Sequence, residues 1–458
     1  MISKITQTQK DYFLTGETKS IPFRKNALLR LKTEIIKREQ DIIDALYQDF
    51  KKPEFESVLS ETEIILSVLN FTINNLNSWA KPKCILPTLL NFPSTDKIYS
   101  EPYGNVLIIA PWNYPYQLAL SPLIGAIAAG NTVILKPSEL TINTSKIIEE
   151  IISTVFKPEH IKVIQGDATI SQELLAQSWD YIFFTGSVAV GKIVAKAAAQ
   201  HLTPTTLELG GKSPCIVDET ANIKLAAKRI VWGKFLNAGQ TCIAPDYIII
   251  HNSIKKPFID ALQSEIDLAY TKNPEQSNDF ARIINERNFN RLVMMLQNEN
   301  IAIGGKTNPK ELYISPTVID QPNLDSEVMK DEIFGPILPV LGYNNEDDIY
   351  AIATKYNKPL SLYIFSTNKI FAKKMIETYS FGGGSINDTV MHIANNRLPF
   401  GGVGDSGIGA YHGKHTFNTF SHKKAVLKKG NWIDIPVRYA PYKGKVKLLK
   451  FFLKHFWN

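Results

Sequence analysis

No charged side chain occurs between Pro102 and Leu135. An apolar run of that length is either a membrane span or a set of elements buried inside a globular chain. Pro111, Asn113, Pro115, Gln117, Pro122, Gly130 and Asn131 break it into pieces too short to span a bilayer. The pattern predicts a strand at 106–110, a polar turn, a buried helix at 118–129 and a second strand at 132–135, because buried parallel strands read as continuous apolar runs. The membrane reading is excluded on those breaks.

The alternation continues downstream. A helical pattern ending at Phe156 precedes a strand at 161–164, a short helix at 171–177 precedes a strand at 181–184, and a helix at 188–200 precedes a strand at 206–209. Such units imply an α/β fold with a parallel sheet covered on both faces, whose ligands sit beyond the carboxyl ends of the strands. Three polar clusters fall at those ends: Pro111-Trp-Asn-Tyr-Pro115, Lys136-Pro-Ser-Glu139 and Thr185-Gly-Ser187. Upstream, helical spacing over 22–50 and 58–76 predicts two packed helices, and 81–96, with three prolines, reads as an extended or hairpin excursion. Beyond Glu208, strands at 215–217 and 247–250 and helices near 255–270 and 286–297 read as a second α/β unit, punctuated by Gly382–384 and Gly401–404.

At 458 residues, 44% hydrophobic and 21% charged, the chain suits a soluble protein of two or three domains. Cys84, Cys215 and Cys242 lack disulfide or metal-site spacing, so reduced thiols in the cytoplasm are expected, and the N-terminus shows no export signal. Of the net charge of +7, the stretch Arg438–Asn458 holds one Arg, five Lys and no acid, which leaves the body near +1 and gives no reason to expect nucleic-acid binding.

Chemistry concentrates in Asn237-Ala-Gly-Gln-Thr-Cys242-Ile-Ala-Pro245. A thiol in so small-residued a loop is approachable, and at an ordinary pKa of ~8.5 a few per cent of it is nucleophilic thiolate at neutral pH; a buried structural cysteine is the alternative. Glu208 stands between two leucines before Gly210-Gly211, where apolar surroundings raise a carboxylate toward the range of a general base. Asn113, held between prolines, could donate to an oxyanion. Thr185-Gly186-Ser187…Gly191 joins strand to helix as a phosphate-binding turn would, without the Gly-x-Gly-x-x-Gly fingerprint. Lys136 and Glu139 could grip an adenosine ribose, and a carboxylate there disfavours a 2′-phosphate, pointing to NAD.

Pro-Trp-Asn-Tyr-Pro, Phe-Phe-Thr-Gly-Ser, Leu-Glu-Leu-Gly-Gly-Lys-Ser-Pro, Gly-Gln-Thr-Cys and Glu332-Ile-Phe-Gly-Pro336 occur in the order found in aldehyde dehydrogenases. From the N-terminal helices to about Lys424 the chain resembles that family. Ile-Ala-Pro-Asp-Tyr after the cysteine, Asn387-Asp-Thr-Val-Met-His392 and Gly409-Ala-Tyr-His-Gly-Lys-His415 resemble its class 3 branch, which handles fatty and aromatic aldehydes.

The resemblance implies oxidation of medium- or long-chain aliphatic or aromatic aldehydes to acids. Cys242 would be the nucleophile, Asn113 and the Cys242 N–H the oxyanion donors, and Glu208 the base that hydrolyses the thioester. It further implies NAD, with NADP also tolerated, held by Lys136, Glu139, Gly186, Ser187, Gly191, Glu332 and Phe334. Tyr114, Trp232, Leu236, Thr241 and Phe400 would line the substrate channel, and His392, His412, His415 and His422 would be structural, with no metal. The implied architecture is a dinucleotide-binding domain (1–80 and 97–207), a catalytic domain (208–402), a bridging and oligomerisation arm (81–96 and 403–440) and a tail (441–458), assembled as a homodimer.

In the tail, Lys447, Lys450 and Lys454 share one helical face and Leu448, Leu449, Phe452, Leu453 and Phe456 the other, so a peripheral contact with an anionic membrane competes with docking on the protein itself. Two rivals to aldehyde oxidation are a CoA-acylating dehydrogenase, against which Glu208 argues, and a non-enzymatic member of the same fold, against which Cys242, Glu208 and Asn113 argue together.

Overall fold

The uncharged run folds as strand Asn105–Ile109, helix Gln117–Ala129 and strand Thr132–Lys136 in the computed structural model, which describes residues 2–434 and 436–456. Every residue of that helix is buried, which explains why it has no polar face. The two strands pair in parallel at the centre of a six-stranded sheet. Its order is Gly407–Ile408, Thr205–Glu208, Tyr181–Thr185, Asn105–Ile109, Thr132–Lys136 and Ile161–Val163, parallel throughout except at Gly407–Ile408. Chain order runs outward in both directions from Asn105–Ile109. The crevice where it reverses, beside Tyr181–Thr185, is where such sheets bind ligands.

A second sheet of seven strands has the order Ile301–Ile303, Thr317–Asp320, Ile337–Tyr343, Tyr247–His251, Pro214–Val217, Ser361–Phe365 and Gly383–Ile386. Only Ile301–Ile303 is antiparallel to its neighbour. A third, antiparallel sheet joins Lys83–Ile85, Ser94–Pro102 and Ser421–Lys429, the last two in continuous register from Ser421↔Pro102 to Lys429↔Ser94. The architecture is α/β with two mainly parallel sheets, as the strand–helix alternation predicts.

The structure differs from the sequence pattern in three places. The 22–50 run is two helices, Ile21–Lys37 and Glu39–Phe50, parted at Arg38, whose guanidinium reaches Asp41 and Glu150. An additional helix, Ile2–Leu14, precedes them; its buried face is Ile2, Thr6 and Gln9, too polar to announce itself. The next helical run, which begins at Glu54, widens into one π-helical segment at Val58–Thr62 before continuing as Glu63–Ala80.

Among the described residues no helix is long and apolar enough to cross a membrane. The tail forms a helix over Val446–Phe456 with Leu448, Leu449 and Phe451 exposed. The Phe452 and Phe456 side chains, with Trp457 and Asn458, lie outside the described residues.

Candidate active site

Helix Ile223–Phe235 starts on an Asn222 cap, whose side chain accepts from the Leu225 N–H, and ends in a sharp turn. In that turn Asn237 (φ 56°), Ala238 (φ 51°) and Gly239 (φ 74°) are all left-handed. Such angles cost an ordinary residue about 1–2 kcal/mol, so the turn must be held from outside. A β-carbon on Gly239 would strike the Gly335 carbonyl, so only glycine fits there. Gln240 ties the turn down: its amide donates to the carbonyls of Asn237 (3.1 Å) and Arg282 (3.0 Å), and its oxygen accepts from the Ile284 N–H (3.0 Å).

Two residues beyond Gln240, Cys242 is half-buried and opens into a cleft of about 240 Å³. Pro111, Trp112 and Asn113 line the cleft from one strand end, and Thr185, Gly186 and Ser187 from the next. Glu208, Glu332, Phe334 and Arg291 complete the wall around the sulfur. The cleft therefore occupies the switch point of the six-stranded sheet.

The electrostatics around the thiol differ from the sequence expectation. Burial, with the nearby Glu332 and Glu208 carboxylates, pushes the Cys242 thiol up, while the N–H groups of Cys242 and Ile243 pull it back. The resting thiol is thus less ionised than an ordinary one, because burial disfavours the thiolate and the neighbouring carboxylates add to that cost. Glu208 ends its strand, 2% exposed, and neither carboxylate oxygen has a hydrogen-bond partner among the described residues. Burial alone raises it well above the usual carboxylate range. Glu332 lies over Gly210 and accepts from the Gly211 N–H; burial and Asp246 push it up to about 8, against that N–H, Lys212 and Arg291.

The remaining sequence-selected residues sit as follows. Asn113 is buried and donates its side-chain amide to the Gln240 carbonyl. Ser187 caps helix Val188–Ala199 by accepting from the Val190 N–H, and Gly191 is buried one turn on. Lys136 and Glu139 pair with each other at the end of Thr132–Lys136, outside the cleft lining. Phe334, at φ 50°, meets the Trp112 ring edge-on at 5.3 Å. Tyr114 and Thr241 share a 2.6 Å hydrogen bond. Leu236 and Phe400 are buried and Trp232 is half-buried; none of these five channel candidates lines the same cleft. Phe400 is stacked between the imidazoles of His392 and His412, both driven down to about 4, chiefly by burial. No group of three or more His, Cys, Asp or Glu among the described residues is arranged to hold a metal ion.

Sequence reasoning missed Arg291 and Asn288 in the cleft wall, both on helix Glu286–Met294. The Arg291 guanidinium donates to the Ile333 carbonyl at 2.6 Å and so braces the segment carrying Glu332 and Phe334. Their only sequence signal is an i,i+3 spacing on a polar helix, which many surface helices share.

A switch-point cleft with a cysteine, a buried carboxylate and an amide on its wall defines a dehydrogenase-like site. Residues 2–426 match the aldehyde dehydrogenase family, and the chain belongs to it. It is an oxidoreductase that oxidises aldehydes. It is 49% identical over 448 residues to 4,4′-diaponeurosporen-aldehyde dehydrogenase of Staphylococcus aureus, covering 97% of this chain and 98% of that one. It is 43% identical to aldehyde dehydrogenase family 3 member A2 of Macaca fascicularis, covering 99% and 94% of the two chains. The substrate-bound Staphylococcus aureus AldH structure superimposes with a TM-score of 0.97 at 48% identity, over 99% of each chain.

Proposed function

We propose that the chain oxidises medium- or long-chain aliphatic or aromatic aldehydes to carboxylic acids through a covalent intermediate on Cys242. The Cys242 thiol gives its proton to water in the cleft, and the thiolate adds to the aldehyde carbon, placing the negative charge on the substrate oxygen of the thiohemiacetal. The Asn113 amide and the Cys242 N–H hold the oxygen. Loss of hydride converts this adduct to a thioester. Glu208 then takes a proton from water, the hydroxide adds to the thioester carbon, and the thiolate leaves with the acid as product. A thiolate is both a good nucleophile and a displaceable leaving group, which a hydroxyl would not be at the same pH.

A nicotinamide dinucleotide supplies the hydride acceptor when bound, NAD being the better match and NADP also accepted. The cleft suits it. Gly186 lines the cleft with the Phe184 ring packed where a β-carbon would be, and the N-terminus of Val188–Ala199, capped by Ser187 in the same lining, offers N–H donors to a pyrophosphate. Gly191 lets that helix sit close; Lys136 and Glu139 would take the adenosine ribose; Glu332 and Phe334 would orient the nicotinamide end. Tyr114, Trp232, Leu236, Thr241 and Phe400 would form an apolar approach for the aldehyde from the other side of the sulfur.

The observation that carries the reading is that Cys242, Glu208, Asn113, Glu332 and Phe334 line one cleft. We further infer the domain division 1–80 with 97–207, 208–402, and 81–96 with 403–440, a homodimer, a cytoplasmic location, and a tail at 441–458 that contacts a membrane surface. The test is NAD(P)H appearance with a panel of aldehydes, with and without CoA, for the wild-type and Cys242→Ala proteins. Free acid formed without CoA, and loss of at least about 10⁴-fold in the variant, is expected; a Cys242→Ala protein of undiminished activity removes the nucleophile assignment.

A further inference from the structure

The helical segment that begins at Glu54, with the lysine before it, carries charge deep into the interior. Lys52 and Glu61 are fully buried and Glu56 is 6% exposed. Buried charges are retained only where they are paired and hydrogen-bonded, and each of these reaches a specific partner. The Lys52 ammonium donates to Glu61 at 2.7 Å and lies 4.1 Å from the centre of the Tyr114 ring. The other Glu61 oxygen accepts from the Gln117 N–H at 2.8 Å, at the start of the helix that follows the Asn113 loop. Glu56 accepts from the Asn237 N–H at 2.9 Å, at the start of the left-handed turn that leads to Cys242.

The two carboxylates thus divide the work. Glu61 holds the loop of the proposed oxyanion donor, and Glu56 holds the loop of the proposed nucleophile. Glu56 lies two residues before the π-helical segment and Glu61 within it, so the widened turn changes the angle between the two side chains about the helix axis, and both carboxylates reach the same site. The loops are also tied directly, since the Asn237 amide donates to the Asn113 carbonyl at 2.8 Å. Asn237 and Gln240 restrain the turn from within its own segment, whereas Glu56 comes from another part of the chain.

We propose that Glu56 is a positioning residue for the nucleophile: its carboxylate fixes the left-handed Asn237–Ala238–Gly239 turn and thereby sets where the Cys242 sulfur lies relative to Asn113. The inference rests on Cys242 being the nucleophile. It assigns Glu56 no contact with substrate or cofactor. What matters is an acceptor at the Asn237 N–H, so an amide oxygen in the same place substitutes for the carboxylate, and a side chain one methylene shorter does not.

The experiment compares full-length Glu56→Gln, Glu56→Asp and Glu56→Ala proteins in hexanal oxidation with saturating NAD, with kcat normalised to Cys242 alkylated by iodoacetamide as read by peptide mass spectrometry, which separates it from the exposed Cys84. Glu56→Gln is expected to keep kcat within about threefold, while Glu56→Asp loses roughly tenfold or more with both KM values nearly unchanged, because a misplaced nucleophile costs rate rather than binding. If Glu56→Ala does not fold, the Gln and Asp pair decides. Wild-type kcat in Glu56→Asp, or an equal loss in Glu56→Gln and Glu56→Asp, overturns the proposal. A Cys242→Ala protein that still oxidises hexanal overturns the nucleophile reading instead, a result the Glu56 series cannot produce.

Discussion

The side-chain amide of Asn113 donates to the main-chain carbonyl of Gln240 at 3.0 Å, two residues before Cys242. One of its two N–H groups is thereby fixed, and the fixed amide plane aims the other. A donor held by an existing bond needs no reorganisation when negative charge develops on a substrate oxygen.

Replacing Asn113 by Ala removes that aimed donor but leaves its main-chain carbonyl for Asn237. Oxidation is expected to fall by about 10²–10³-fold in kcat, with the alkylation rate of Cys242 by iodoacetamide little changed. Steady-state kinetics and alkylation on the same preparation check this. A comparable loss in both assays would assign Asn113 to loop structure instead.

Glu208 sets the pH dependence. Burial raises it, and below that raised pKa the basic form grows by about tenfold per pH unit. Hydrolysis of the thioester is therefore expected to accelerate as pH rises through the raised Glu208 pKa and to level off above it. Glu208→Gln should slow that step by roughly 10²-fold or more and flatten the profile. Single-turnover acid release across pH tests it, and an unaltered profile in the variant would assign the base elsewhere.

The parts of the fold legible in the sequence were those where burial is uniform or the repeat is regular. The run from Pro102 to Leu135 has no charge because all of helix Gln117–Ala129 is inside. Helix Ile2–Leu14 escaped because Gln9 faces inward to donate to the Val133 and Pro158 carbonyls, at 3.0 Å each, so the buried stripe is not apolar. At the site, Cys242, Glu208 and Asn113 stood out as polar residues in apolar or glycine-rich surroundings. Glu56 and Arg291 did not, since a charged residue on a helix usually faces water and only tertiary packing turns these inward. The shift of the Cys242 thiol was illegible for the same reason: it comes chiefly from burial by the packed fold, and then from Glu332, ninety residues away in the chain.

Lys212 and Asp246 form a buried pair at 2.7 Å, and the same ammonium donates to the carbonyls of Val328 (2.9 Å) and Asp331 (3.0 Å). Asp246 in turn accepts from the Ile333 N–H at 2.9 Å. Lys212→Met would strand the Asp246 charge, and breaking one half of a buried pair costs about 3–5 kcal/mol. Denaturant unfolding should show a loss of that order. Adding Asp246→Leu should recover part of it, short of the cost of orphaning the Ile333 N–H, about 1–3 kcal/mol. A single variant as stable as the wild type would show that the pair does not fasten the Glu332 segment.

The tail offers a separate test. Lys447, Lys450 and Lys454 lie on the exposed helix Val446–Phe456, with Leu448 and Leu449 also exposed. A basic amphipathic helix binds where anionic headgroups neutralise its lysines and its apolar face enters the acyl boundary. Each surface lysine is worth about 1 kcal/mol against an anionic leaflet and is screened within a Debye length. Co-sedimentation with phosphatidylglycerol vesicles should therefore weaken as salt rises and be lost when residues 441–458 are removed, while hexanal oxidation continues, since no described tail residue lines the cleft. Phosphatidylcholine vesicles should retain little protein. Association that survives the truncation would place the membrane contact elsewhere on the chain.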